Sequence, residues 1–344
     1  MKNKRLSVLL VLLLCIALTF TLVGCKKDKG DDKVYYTNPL TGEKSEEQIE
    51  AARPLQVSID NVGSAIPQSY LSVADLIYEF PVEGSQSRIQ AIFYSEIPDH
   101  FGPIRSVRPY FVDLAREYDS LFLGHGWSPD AKNYLLQGYV PYINAMNSDC
   151  AFYRVDDKDS PHDSYLDWSE VKRKIDENGW WDEKVELTGF QFLEEVEEDE
   201  KAKDKDKDKD EEQVDLPATY ITVNYGASNC EYTYDPETKL YTRSIDGYDY
   251  VDRETDEAIT VSNILVQRVY SSVLDYKGRL SIDMCAGGEA ILYTGGEVIE
   301  GTWSRDSLDS RTVFVDKDGN EFKLSVGKTW VQVADQKCYI SHSK

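Results

Sequence analysis

Cations are scarce in this chain. Lys and Arg number 38 against 62 Asp and Glu, and the formal net charge is −24 over 344 residues. Nucleic-acid binding needs clustered cations that displace counterions from phosphates, so this balance excludes a polyanion-gripping protein. It equally excludes a surface held on anionic lipid by charge alone. Histidine is rare, with 4 residues, and the 6 cysteines contain no Cys-x-x-Cys spacing, which argues against zinc knuckles. No phosphate loop, dinucleotide fingerprint, kinase motif or internal repeat occurs. Neither a metal nor a cofactor is therefore expected.

The first residues set the compartment. Lys2, Lys4 and Arg5 precede an uncharged apolar run, Leu6 to Val23, which ends in Leu22-Val23-Gly24-Cys25. A charged start, an apolar stretch and small residues at its end make a secretory signal. The ending resembles the bacterial lipobox. That resemblance implies removal of residues 1–24, lipidation of Cys25, and a body held on the extracytoplasmic face of the cell membrane by its lipid anchor. The competing expectation is an uncleaved membrane helix, for which the run is near the lower length limit. Loss of the three leading cations takes the net charge to −27. Residues 25–37 are polar and read as a flexible tether. Outside the cytoplasm Cys150, Cys230, Cys285 and Cys338 could form disulfides in three full pairings.

A second composition break spans residues 194–215. It holds Glu197-Glu198-Asp199-Glu200 and a Lys-Asp alternation from Lys203 to Asp210. Nothing there can be buried, and opposite charges sit at i, i+1 rather than the i, i+4 that supports a helix, so a disordered linker is expected. It separates residues 38–193 from residues 216–340. The first segment mixes strands (Pro54 to Asp60, Leu76 to Phe80, Arg88 to Tyr94, Leu121 to Leu123) with helices starting at Pro109, Pro129 and Trp168. Asp167-Trp168-Ser169-Glu170 is a capping-box pattern, and Gly179 marks that helix's end. The second segment is nearly all short strands separated by turn signals, which suggests a compact antiparallel unit. The fold class expected is α+β: a layered α/β N-terminal domain followed by a mostly antiparallel β domain.

Several strings resemble the YerB-like bacterial lipoproteins. These include Ser58-Ile59-Asp60-Asn61, Ala74-Asp75-Leu76-Ile77-Tyr78-Glu79, Pro81-Val82-Glu83-Gly84 and Gly102-Pro103-Ile104-Arg105-Ser106-Val107-Arg108. Asn263-Ile264-Leu265-Val266-Gln267 and Gly327-Lys328-Thr329-Trp330-Val331-Gln332-Val333 continue the match. The resemblance covers roughly residues 38–335 in order, with the acidic linker as a departure. It implies the two-domain α+β organisation and an extracytoplasmic lipoprotein; it implies no reaction.

Three constellations could carry chemistry. Between Ser45 and Ala131 there is no Lys, yet there are Arg53, Arg88, Arg105, Arg108 and Arg116. The guanidinium is a planar fork suited to carboxylate and phosphate. Arg105 and Arg108 precede the helix at Pro109, whose N-terminus adds positive potential. Arg88, Arg105 and Arg108, with Asp60, Glu79 and Glu83, are the expected ligand-binding set. The competing expectation pairs these arginines with Asp60, Asp75, Glu79, Glu83 or Asp113. His162, in Pro161-His162-Asp163, is a candidate acid/base; the resemblance places Asn after this His, so Asp163 is a departure. His125, in Gly124-His125-Gly126-Trp127-Ser128, is a second candidate, and Ser128 reads as a helix cap rather than a nucleophile. The expected function is binding of an anionic cell-envelope glycan or lipid-linked precursor, or of an envelope protein partner. The alternative is a hydrolase or transferase acting on envelope glycan or a phosphodiester.

Overall fold

The computed structural model describes residues 34–147, 151–182, 184–194 and 217–344. The expected signal segment, Cys25, Cys150 and nearly all of the acidic linker lie outside the described residues. The fold is α+β, as the patterning implies. The first segment supplies strands β1 (Leu55–Asp60), β2 (Leu76–Pro81), β3 (Ser87–Phe93), β4 (Leu121–Gly124), β5 (Tyr142–Asn144) and β6 (Ser164–Asp167). It also supplies helices α1 (Pro109–Glu117), α2 (Pro129–Leu135) and α3 (Trp168–Asn178). The second supplies β7 (Tyr220–Asn224), β8 (Asn229–Asp235), β9 (Leu240–Ile245), β10 (Asn263–Arg268), β11 (Gly288–Thr294), β12 (Glu297–Ser304), β13 (Val313–Asp316), β14 (Thr329–Ala334) and β15 (Tyr339–Ser343).

The residue pattern does not reveal that the two segments share one sheet. Its ten strands run in the order β13-β12-β11-β10-β14-β2-β3-β1-β4-β5. The seam is β14 against β2, paired in parallel with Thr329 opposite Leu76 and Gln332 opposite Glu79. The reason lies in burial. β2 (LIYEFP) and β14 (TWVQVA) are buried at every position, so each needs cover on both faces and neighbours on both edges, the signature of a central strand.

The two faces of this sheet are covered differently. In β1 the odd residues Leu55, Val57 and Ile59 enter one core with Tyr232, Tyr241 and Trp330, beneath a second, six-stranded sheet that contains β15-β7-β8-β9. The other face, with Tyr78, Phe80 and Ile92, packs under α1 and α2 through Phe111, Leu114, Ala131 and Leu135. The period of two thus sends Gln56, Ser58 and Asp60 to the helical side. Gln56 is satisfied there by Gln90 at 3.0 Å and the Phe111 carbonyl at 2.9 Å.

Candidate anion site

The upper half of β1 is lined by the chain before α1. The Asp60 N–H donates to the Pro103 carbonyl at 2.9 Å and the Arg105 N–H to the Ser58 carbonyl at 2.8 Å. The same stretch bonds on its other side to the turn after β4: His125 N–H to the Arg105 carbonyl at 3.0 Å, and Val107 N–H to the Gly126 carbonyl at 3.0 Å. Gly124 allows this approach, because a Cβ there would lie 2.6 Å from the Val107 side chain and 3.4 Å from the Arg105 carbonyl. One threaded segment therefore brings Arg105, Arg108 and His125 beside the end of β1.

Asp60 is the hub. It is 1% exposed. Its Oδ2 lies 2.8 Å from His162 Nδ1 and 2.9 Å from Arg105 Nε. The second contact is an ion pair without a linear hydrogen bond, and Asp60 Oδ1 has no hydrogen-bond partner. Arg88 stands directly across the strand pair from Asp60 and is 5% exposed. One of its amino groups donates to the Ser106 carbonyl at 2.9 Å, while its Nε has no partner. Burial, then the charges of Arg108 and Arg105, pull its pKa down to about 10. Arg108 grips Glu83 with both prongs of its fork, at 2.7 and 2.9 Å. Burial pushes the Glu83 carboxyl up, but the Arg108 contacts outweigh it and hold Glu83 below its ordinary value.

His125 stands close by. Its Nδ1 lies 2.5 Å from the Ser164 hydroxyl, and its ring meets Phe152 edge-on. Burial and then the Arg154 charge lower its pKa, which favours the neutral ring. Asp163 pairs with Arg154, so the residue after His162 serves as a guanidinium acceptor. Ser128 caps α2, its hydroxyl accepting from the Ala131 N–H at 3.2 Å.

Of the five arginines in the lysine-free stretch, three gather here. Arg53 pairs with Asp119 and Arg116 with Asp309. Asp75 and Asp113 do not pair with the three: Asp75 accepts from Asn38, Ser95 and the Tyr94 N–H, and Asp113 from the Tyr134 hydroxyl. Glu79 requires a correction. Its alternation sends it to the opposite face, where it is 0% exposed. There it pairs with Arg243 at 3.1 Å and accepts from Trp330 Nε1 at 3.1 Å and Gln332 at 2.9 Å. It belongs to the interior between the two sheets and cannot meet a ligand beside Arg105. Sequence reasoning missed Arg243, although its position two after inward-facing Tyr241 in β9 marks it as buried. Among the described residues no group of three or more His, Cys, Asp or Glu could hold a metal.

The DUF3048 N-terminal domain, from a protein family of unknown function, matches residues 40–181, and its C-terminal counterpart matches residues 221–331. This chain belongs to the DUF3048 family. Within that family it is 35% identical over 321 residues to YerB of Bacillus subtilis (strain 168), a protein provisionally named a lipoprotein, covering 91% of each chain. The crystal structure of Bacillus subtilis YerB superposes with a TM-score of 0.76 at 34% identity, over 89% of this chain and 99% of that one. In DUF3048 terms, Asp60, Arg88, Arg105, Arg108 and His162 all come from the N-terminal region, whereas Arg243 and Trp330 come from the C-terminal one.

Proposed function

We propose that this protein is a lipid-anchored protein of the extracytoplasmic membrane face that binds an anionic group of a cell-envelope ligand between Arg88, Arg105 and Arg108. The observation that carries the reading is Arg88. It is buried, its Nε has no acceptor, and no carboxylate engages it in an ion pair among the described residues. Three arginines face two carboxylates, Asp60 and Glu83, so one cation is in excess in a chain that is otherwise strongly acidic. A phosphate or carboxylate bound at the partly exposed Arg105 would add negative charge beside Arg88 and offset the cost of holding its charged form. The anchor rests on the lipobox-like Leu22 to Cys25 and is supported by the name of the YerB relative.

Calorimetric titration with pyrophosphate tests the site. Saturable binding that weakens roughly tenfold in Arg88→Gln and in Arg105→Gln/Arg108→Gln is expected, a change of about 1.4 kcal/mol. Equal affinity in wild type and variants removes the arginine site. Labelling with radioactive palmitate tests the anchor: Cys25→Ala should lose the label, and unchanged labelling refutes the lipidation.

One observation favours a second reading, a hydrolase or transferase acting on glycan or phosphodiester. His162 is oriented by Asp60 through Nδ1, the arrangement that fixes an imidazole for proton transfer through its other nitrogen. Turnover of a chromogenic phosphodiester that disappears in His162→Ala would support it; no turnover by the wild type leaves the binding reading alone.

A further inference from the structure

A separate cleft of about 800 Å³ opens between the segment after Ser45, the end of β3 and the start of α3. Its floor is aromatic: Tyr94, Trp168 and Trp181 line it, the two indoles lying 5.6 Å apart at 45°. Its rim carries Glu47, Gln48, Glu50, Glu96 and Lys172, all exposed. Among the described residues none of these four charged groups makes an ion pair, in contrast to Asp60 and Glu83 of the arginine site, which do.

We infer that this cleft binds a neutral oligosaccharide. The volume falls within the roughly 300–1,000 Å³ of small-molecule sites, where an apolar lining with a few polar groups sets orientation. Two neighbouring indoles, tilted to each other, offer flat apolar area to the C–H faces of pyranose rings. The rim decides among ligand classes. Carboxylates accept hydrogen bonds, whereas Lys172 and the Gln48 amide donate them. Hydroxyl groups do both and so match a mixed rim. An anion would meet three glutamates, and a simple cation would leave Lys172 and the Gln48 donors unserved.

Tryptophan fluorescence titration with chitotetraose, on the whole extracytoplasmic chain, tests the inference. A saturable change is expected that persists from low to high salt, because uncharged contacts are not screened. Trp181→Ala should weaken it by roughly tenfold or more. Glu47→Gln/Glu50→Gln, on exposed side chains, should weaken it several-fold with an unchanged melting temperature. The assignment is overturned if chitotetraose gives no saturable change, or if the glutamine variant binds like wild type. It is equally overturned if only hexalysine binds and salt abolishes it, which would make the cleft a cation site. The arginine group takes no part, so pyrophosphate binding and its loss are read independently.

Discussion

Two buried arginines show how the same residue type serves opposite ends. Arg243 is enclosed: Glu79 meets it at 3.1 Å, the Tyr232 hydroxyl accepts from it at 2.7 Å, and the Trp330 and Tyr250 rings lie 4.1 and 4.7 Å from its guanidinium carbon. Only its Nε lacks a partner, and because these neighbours come from both sheets it locks the two together. Arg88 is nearly as buried, at 5% against 1% exposed, yet no carboxylate engages it in an ion pair among the described residues. Removing one member of a fully buried pair leaves an uncompensated charge, so Arg243→Met alone should cost about 3–5 kcal/mol in urea unfolding. Arg243→Met/Glu79→Leu should recover much of that loss. If the double variant is no more stable than the single one, the pair is not the source of the cost. The Glu83–Arg108 pair carries a pH signature. Glu83 titrates lower folded than unfolded, so its stabilisation is present above the ordinary carboxylate pKa of about 4.3 and is lost as pH falls through the folded value. Glu83→Gln should therefore be less stable than wild type at neutral pH, with the gap closing in acid. A gap independent of pH would contradict the assignment.

At the scale of elements, the local signals read well. Asp167 caps α3, accepting from the Glu170 N–H at 3.2 Å, and Gly179 ends it in the left-handed conformation at φ 65°. α1 runs from Pro109, as its proline start predicts, with Phe111, Leu114 and Ala115 buried. These features are legible because caps and helix faces depend on neighbours three or four residues away. Asp167→Ala should cost about 1 kcal/mol, read as a lower thermal midpoint, and Asp167→Asn should restore most of it. The arginine group was partly legible for the same reason: Arg105 and Arg108 lie in one short segment. That His162 would join Arg105 on a single Asp60 oxygen was not, because 102 residues separate His162 from Asp60. Glu79 was misplaced because, without knowing what lies on each face, alternation cannot say which face is the outside.

At the scale of the molecule, turn spacing in the second segment suggests a self-contained sheet, yet five of its strands complete the sheet begun by the first. Strand pairing between distant segments leaves no local trace, since β2 and β14 each read only as buried strands. A fragment ending at residue 193 would bare the β2 edge and the Glu79 carboxylate together. It is expected to be insoluble or molten when expressed alone, and to form a native-like fold when co-expressed with residues 216–344. A soluble, cooperatively melting fragment would refute the shared core.

The seam between β2 and β14 also sets an order of events. Leu76 waits for Thr329, and Trp330 is the ring that closes over Arg243. A chain synthesised from its N-terminus therefore carries an unfinished sheet until residues 329–334 have emerged. It must search for a pairing about 250 positions away, a slow step for any topology so rich in distant contacts. Products stalled before residue 329 cannot become small working versions of this protein; they remain open edges for proteases to find.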